Sequence, residues 1–214
     1  MSSGVLGSFA YLRKQSLVGD ALSHAALPGV CIAFMLTGIK SLWFFMVGAA
    51  AAGAVATFGI GMITRHSRIK QDAALAIVLS SFFGLGIVLL TRIQQSGSGA
   101  QAGLDKFLFG QAAAMVKADV YTMCALAVFL IVMCALFFKQ FKLISFDPGF
   151  ARMIGYKSAA LEQFLMLLLV IAVVVGIQAV GVVLMAAMLM TPAVAARYWT
   201  DKLGRMMLLS GWFG

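Results

Sequence analysis

Gly19-Asp20-Ala21-Leu22-Ser23-His24-Ala25-Ala26-Leu27-Pro28-Gly29 opens a long apolar stretch, and the rest of the chain is interpreted from it. Asp20 precedes His24 by four residues, and no other charged or imidazole side chain follows before Lys40. Residues four apart lie on one face of a helix, so the carboxylate and the imidazole point the same way. Ionisable residues in an apolar span are costly and mark functional sites. This pair predicts a site for a divalent ion such as Mn, Fe or Zn.

Other interpretations of the same residues stay open at this point. Asp is a favoured residue at the start of a helix, so Asp20 is also explained as an N-cap. It is equally explained as an ion-pair partner of Arg13 or Lys14, and His24 as a residue that hydrogen-bonds inside a helix bundle. The second histidine, His66, lies in a basic cluster, and we interpret it as a solvated side chain.

The composition is that of an integral membrane protein. Hydrophobic residues make up 63% of the chain and charged residues 11%, with a mean hydropathy of +1.02. A soluble domain is about half apolar and about a quarter charged. The net charge of +9 falls in short clusters between apolar runs, which is typical of membrane loops and not of a nucleic-acid surface. The cysteines, Cys31, Cys124 and Cys134, all lie in apolar runs, and we interpret them as small buried side chains.

The apolar runs predict an all-α, polytopic transmembrane helix bundle with about six full spans plus partial spans at both termini. We expect one transmembrane domain over residues 1–214, incomplete at both ends. Residues 163–196 carry no charge, and 34 residues exceed one span of about 20. With basic residues on both flanks, this run predicts a hairpin that turns at residues 176–181. The predicted spans are 17–38, 42–64, 73–91, 120–138 and the two arms of this hairpin.

The segments between the spans carry separate predictions. Residues 94–103 are predicted to form a polar loop, and 104–118 an amphipathic segment too short to cross a membrane. Within a mixed loop at 143–158, Asp147-Pro148 is a sequence that caps a short helix. Pro28 and Pro192 are expected to kink their helices. Small residues at four-residue spacing predict close helix packing in the second span, at Gly48, Ala52 and Ala56.

The basic residues predict how the chain is oriented in the membrane. Four clusters, at residues 13–14, 65–70, 139–142 and 197–205, are each separated from the next by two predicted spans. All four therefore fall on one side, which the positive-inside rule assigns to the cytoplasm.

Several stretches resemble the ABC-type manganese/zinc/iron importer permeases, also called the ABC-3 family. The most specific is residues 16–29, which contain Asp20 and His24. Similar segments follow in order over essentially the whole chain, at residues 107–111, 146–155, 176–185 and 191–197. Most of the family's first helix and its last one or two helices have no counterpart, which is why we expect an incomplete chain.

The resemblance implies a set of functional assignments. Asp20 and His24 correspond to the family's intramembrane metal-coordinating pair. Family permeases form homo- or heterodimers in a prokaryotic cell membrane, are driven by two cytoplasmic ATPase subunits, and receive the ion from an extracytoplasmic metal-binding protein. We expect no permanently bound cofactor, and the clustered charges predict no nucleic-acid partner. It assigns a coupling segment that docks on the ATPase, comprising Gly149, Phe150, Ala151, Arg152, Met153, Ile154 and Gly155. A juxtamembrane helix on lipid headgroups is the alternative for that segment.

The expected function is that of a permease subunit of an ATP-driven importer, with manganese as the first choice of metal and zinc or iron next. The choice of manganese rests on the Gly-Asp-Ala-Leu-Ser-His-Ala form of the first motif, residues 19–25, which resembles the manganese/iron branch. The sequence has no Walker-type GxxxxGK[ST], so we expect ATP hydrolysis by separate subunits and no enzyme activity in this chain. A gradient-driven or channel-like metal transporter is the alternative. An intramembrane metalloenzyme needs more ligands and a general base.

Overall fold

The computed structural model describes residues 1–15, 17–38, 42–95, 110 and 117–214. Within these residues every regular element is a helix, as the composition predicts. The helices, numbered in chain order, are α1 (Ser2–Leu12), α2 (Val18–Thr37), α3 (Leu42–His66), α4 (Gln71–Gln95), α5 (Lys117–Leu136), α6 (Phe138–Phe146), α7 (Pro148–Met153), α8 (Ser158–Val180), α9 (Val182–Trp199) and α10 (Leu203–Phe213).

Six of the described helices are long and apolar enough to cross a membrane, which confirms the predicted all-α polytopic bundle. They are Val18–Thr37, Trp43–His66, Gln71–Gln95, Asp119–Leu136, Ser158–Val180 and Val182–Trp199. Each has 18 to 25 residues, close to the length that a bilayer core requires. The shorter helices α1 and α10 lie at the termini, where partial spans were predicted.

The chain divides into two compact units. Unit 1 comprises Met1–Ser16, Met115–Ala172 and Ala187–Gly214, and unit 2 comprises Leu17–Ala114 and Val173–Ala186. The single transmembrane domain expected from the sequence stays a prediction.

Unit 2 is organised around α2, which contacts both α3 and α4. The closest approach joins Gly29 of α2 to Gly48 of α3. A Cβ on either glycine would overlap the backbone oxygen of the other, and Ala52 Cβ would lie 2.6 Å from a Cβ on Gly29. Small residues therefore let these two backbones touch, as the spacing in the second span predicts.

Unit 1 is held together by α1, which contacts α10, α5 and α6. The Ser210 hydroxyl donates a 2.6 Å hydrogen bond to the Gly4 carbonyl and joins α10 to α1 inside the protein. On α1, the buried ring of Phe9 makes edge contacts with Phe138 and Phe141 of α6, at centroid distances of 6.4 and 5.7 Å. These contacts bury α1 although it is too short to span a bilayer.

The structure corrects several predicted boundaries. The turn predicted at residues 176–181 is confined to Gly181, whose φ of +84° suits glycine. A Cβ on Gly176 would overlap the Met185 sulfur, so α8 and α9 pack closely beside this turn. The basic residues 139–142 lie inside α6 and do not end a helix, because α6 follows α5 after a single residue. The predicted loop at 143–158 is mostly helical, in α6 and α7.

Pro28 and Pro192 lie within α2 and α9, and each helix continues through its proline. Pro28 has no N–H, so the His24 carbonyl loses its usual helical donor without ending the helix. Two predictions lie outside the described residues: the polar loop beyond Gln95, and the amphipathic segment at 104–118 apart from Gly110 and the first residues of α5.

Candidate metal site

Helix α2 places Asp20 and His24 on one face, as the four-residue spacing predicts. His24 Nε2 lies 3.3 Å from Asp20 Oδ1. Asp20 stands in the first turn of α2, where its negative charge faces the positive end of the helix dipole. This position stabilises the carboxylate within α2, which is a largely apolar candidate span.

The pair forms the one accessible part of the first half of α2. From Val18 to Cys31, a segment described throughout, every residue except Asp20 and His24 is buried. The exposed fractions of the two side chains are 47% for Asp20 and 27% for His24. Both side chains can therefore be reached from outside without any rearrangement of the packed side of the helix.

Helix α4 packs beside His24 through Phe83. The Phe83 ring meets the imidazole edge-on, with centroids 4.7 Å apart and planes at 74°. This contact packs one side of the imidazole, whose Nε2 lies beside Asp20. Next to His24, the Ser23 hydroxyl is buried and has no hydrogen-bond partner among the described residues.

The distance between Asp20 Oδ1 and His24 Nε2 is one that a divalent ion could bridge. Oxygen and nitrogen ligands bind such an ion at about 2.0–2.2 Å. Two neighbouring ligands at that distance stand about 3.0 Å apart in octahedral geometry and about 3.5 Å apart in tetrahedral geometry. The observed 3.3 Å lies between these values, so one ion can be bound by both atoms with little movement.

Within the described part of the chain, no group of three or more His, Cys, Asp or Glu residues that could hold a metal ion is found. The cysteines are free: Cys31 and Cys134 are buried as predicted. Cys124 is exposed, contrary to the prediction, because it faces outward from α5. His66 is exposed, as predicted, and one ring nitrogen lies 3.1 Å from the Met62 carbonyl.

The N-cap interpretation of Asp20 does not hold, and Arg13 has another partner. The N-cap of α2 is Leu17, which makes no side-chain capping bond, and Asp20 is inside the helix. Arg13 pairs with Glu162 of α8 instead, with Arg13 Nη2 2.6 Å from Glu162 Oε1. The sequence predictions missed this ion pair, although Glu162 is the one acidic residue of α8 and so carries a signal of its own.

The segment assigned to ATPase coupling is a short capped helix. Asp147 accepts a 2.8 Å hydrogen bond from the Phe150 N–H, and Pro148 occupies the first turn of α7, as Asp147-Pro148 predicts. At the other end Gly155 takes a φ of +92°, and the Tyr156 N–H donates to the Ala151 carbonyl at 3.0 Å. The helix is thus fixed at both ends by local hydrogen bonds.

One side of α7 is fixed and the other is open. Ala151 is fully buried, and Arg152 Nε donates a 3.1 Å hydrogen bond to the Ser158 hydroxyl at the start of α8. Phe150, Met153 and Ile154 project outward, with exposed fractions of 49%, 85% and 55%. This arrangement presents an apolar surface on a rigid support, which is typical of a docking site.

Comparison with known proteins supplies the family. The sequence model of the family described as "ABC 3 transport family" matches residues 1–214. The chain is 56% identical over 210 residues to the manganese transport system membrane protein MntC of Bacillus subtilis. It is 48% identical over 214 residues to the zinc transport system membrane protein TroC of Treponema pallidum. The solved structure "PsaBC from Streptococcus pneumoniae in complex with Fab" is similar, with a TM-score of 0.82 and 36% identity.

These matches cover nearly all of this chain and less of the relatives. The alignments include 98% of this chain and 48% of MntC, 100% of this chain and 72% of TroC, and 100% of this chain and 73% of the PsaBC chain. The chain thus spans about half the length of the first of these relatives and about three quarters of the others.

Proposed function

The chain belongs to the ABC 3 transport family, and from this we propose that it is a permease subunit of an ATP-driven importer of a divalent transition metal. The transported ion binds at Asp20 and His24. The observation that carries the proposal is the accessible carboxylate–imidazole pair, 3.3 Å apart, on the otherwise buried half of α2. Such a pair is retained in a membrane helix where it serves an ion pathway.

The site is completed by a second permease chain. One chain supplies one oxygen and one nitrogen ligand, and a homo- or heterodimer supplies four ligands in total. A small ligand set with room for water binds an ion firmly enough to accept it and weakly enough to release it. The exposure of both side chains supports a site shared with a partner, because a closed single-chain site would bury its ligands.

Manganese is the first choice of metal, with zinc or iron next. Carboxylate ligands suit manganese and imidazole suits zinc and iron, so the mixed pair alone selects none of them. The relative named for manganese is 56% identical and the relative named for zinc is 48% identical, which supports this order. The metal is a substrate, and we propose no permanently bound cofactor.

The family and the exposed side of α7 support the proposed partners. Two cytoplasmic ATPase subunits drive transport, and an extracytoplasmic metal-binding protein delivers the ion. Residues 149–155 dock on the ATPase through the exposed apolar side of α7, and the buried Ala151 and the Arg152–Ser158 hydrogen bond transmit its movement to α8. ATP hydrolysis belongs to the ATPase subunits, so this chain is a transport subunit and not an enzyme.

The chain lies in a prokaryotic cell membrane with its basic clusters at 13–14, 65–70, 139–142 and 197–205 on the cytoplasmic side. Six candidate spans support a multi-pass arrangement. The same orientation puts α7 in the cytoplasm, where the ATPase is. The family match and the relatives above give no support to the gradient-driven alternative.

Uptake of radiolabelled manganese into proteoliposomes tests the function. The vesicles contain the permease with its ATPase and metal-binding partners, and uptake is compared with and without ATP. We expect ATP-dependent uptake that is lost with Asp20→Asn. Uptake that follows an imposed ion gradient and ignores ATP would support the alternative transporter class instead.

The coupling surface is tested separately with a charge on its most exposed residue. Met153→Asp places a carboxylate on α7 without disturbing buried contacts, because Met153 is 85% exposed. We expect weaker association of the ATPase subunit. Ile69→Asp, at the 40% exposed Ile69 between α3 and α4, is the matched control and keeps normal association. Equal association of both variants would place the ATPase contact elsewhere.

A further inference from the structure

A basic pocket in unit 1 has no part in the metal site or in the coupling surface. It has a volume of about 410 Å³ and is lined by Tyr11, Leu12, Lys14, Met190 and Arg197. Tyr11 and Leu12 also pack against a buried cluster formed by Ala193, Ala196 and Met206. The side of the pocket formed by Tyr11 and Leu12 is therefore fixed by the core of the unit, and Lys14 and Arg197 are the two cations in its lining.

The aromatic residues beside the pocket indicate its depth in the membrane. Arg197 stands in the last turn of α9, a candidate span that ends at Trp199. Tyr198 and Trp199 follow at once, and they are 89% and 78% exposed. Exposed tyrosine and tryptophan at the end of a span mark the level of the lipid headgroups. Arg197 and the pocket beside it consequently lie at that level.

The charge of the pocket is positive. Lys14 is exposed and forms no ion pair with any residue that the structure describes. Arg197 Nη2 lies 3.1 Å from Asp201 Oδ1, and Nη1 donates a 3.3 Å hydrogen bond to the Asp201 carbonyl. The Asp201 side chain is 92% exposed, and an ion pair this open to solvent is readily exchanged for another anion.

We propose that this pocket binds the phosphate group of an anionic phospholipid. Lys14 and Arg197 contact the phosphate oxygens, which both side chains favour as partners. The lipid chain runs along the apolar side chains of Leu12 and Met190. Free phosphate has the same charge chemistry but leaves this apolar part of the pocket unused. Basic pockets between membrane helices are a known form of headgroup site.

The backbone conformation of Lys14 makes it possible to separate an effect on lipid binding from an effect on fold stability. Lys14 has a φ of +57°, and the bonds from its N–H to the Tyr11 carbonyl and from the Gln15 N–H to the Ala10 carbonyl close the end of α1. Glycine is the favoured residue in this type of helix ending. Lys14→Gly therefore removes a charge from the pocket while relieving backbone strain, so headgroup binding and fold stability change in opposite directions.

The experiment measures lipid retention by native mass spectrometry of the purified chain, titrated with phosphatidylglycerol or phosphatidylcholine. We expect the phosphatidylglycerol to be retained preferentially. Lys14→Gly and Arg197→Gln should each weaken its retention about fivefold. Lys14→Gly should also unfold at an equal or higher temperature than the unchanged protein. Asp201→Asn, which removes the competing carboxylate, should strengthen retention.

Arg68→Gln is the matched control, because Arg68 is an exposed cation in the turn between α3 and α4, outside the pocket. It should retain phosphatidylglycerol normally. Equal retention by Lys14→Gly, Arg197→Gln and the control would overturn the proposal. So would equal retention of phosphatidylcholine, or full competition by inorganic phosphate at the same concentration, which would assign the pocket to free anions. Loss of ATPase association in Lys14→Gly with unchanged lipid retention would assign it to a protein contact instead.

Discussion

Asp20 and His24 sit among small buried residues of α2, and their accessibility separates them from their neighbours. Asp20 lies in the first turn of α2, where the helix dipole favours its charge, and the Phe83 ring packs edge-on against His24. Their chemistry is complementary, since the carboxylate supplies charge to attract a cation and the imidazole supplies a directional nitrogen ligand.

The first prediction concerns the carboxylate. Asp20→Asn keeps the shape of the side chain and removes its charge, so we expect the affinity for Mn²⁺ to fall by at least about tenfold, the effect of losing even an outer-sphere partner. Asp72→Asn is the control, because Asp72 also lies in the first turn of a span, α4. Calorimetric titration of both variants measures the difference. Equal affinities would remove Asp20 from the site.

At this scale the sequence predicted that Asp20 and His24 lie together on one helical face, but not what surrounds them. The four-residue spacing of Asp20 and His24 defines a shared helical face for any sequence that forms this helix. The contact of Phe83 with His24 depends on how α4 packs against α2, which no local pattern encodes. The pairing of Arg13 with Glu162 joins residues 149 positions apart, and was missed for the same reason.

Helix α2 keeps its position because α3 approaches it at glycine. The contact between Gly29 and Gly48 leaves no room for a side chain on either helix. The position of Asp20 and His24 relative to α4 therefore depends on a backbone contact about one and a half turns beyond His24 and about two and a half turns beyond Asp20.

The second prediction tests this contact. Gly48→Val should reduce the free energy of unfolding by about 1–3 kcal/mol, the usual effect of overpacking. Gly59→Val is the matched control on the same helix, because nothing lies within 4 Å of a Cβ at Gly59. Unfolding in detergent, followed by circular dichroism, measures both. A loss of stability as large in the control would show that helix propensity, not the α2–α3 contact, is responsible.

The third prediction concerns the cap of α7. Asp147→Ala removes the bond to the Phe150 N–H and should destabilise this short helix by about 1 kcal/mol. The expected consequence is weaker association of the ATPase subunit, measured by co-purification. Asp147→Ser retains a capping oxygen and should restore association. If serine fails to restore it, the carboxylate charge rather than the cap is what the partner requires.

Element boundaries followed from the sequence where a strong local signal existed. Asp147-Pro148 correctly predicted the start of α7, because the capping carboxylate and the fixed φ of proline act within one turn. The predicted hairpin turn, residues 176–181, was too long, because an uninterrupted apolar run carries no signal for the end of a helix. Gly181 alone supplies the turn, and Gly176 serves a packing contact with Met185 instead.

At the scale of the whole molecule, composition and charge placement decided the class. An apolar chain with clustered charges is confined to a membrane, where helices satisfy their own backbone hydrogen bonds. The predicted number of full spans was confirmed. The family was also predicted correctly, from motifs distributed over the whole chain. The division into two units was not predicted, because it depends on contacts between residues distant in the sequence.

The fourth prediction concerns stoichiometry. If two permease chains share one ion, saturation requires one Mn²⁺ for every two chains. Equilibrium dialysis of the purified permease dimer measures this ratio. A ratio of one ion per chain would mean that each chain binds metal alone, and the ligand set would then need members beyond Asp20 and His24.

The most direct test of the metal site uses the fact that the chain has only two histidines. Electron spin echo spectroscopy of bound Mn²⁺ detects coupling to an imidazole nitrogen ligand. We predict this coupling in the unchanged permease, its retention in His66→Gln and its loss in His24→Gln. Coupling that persists in His24→Gln, or none in the unchanged protein, would contradict the assignment of His24 as a ligand of the transported ion.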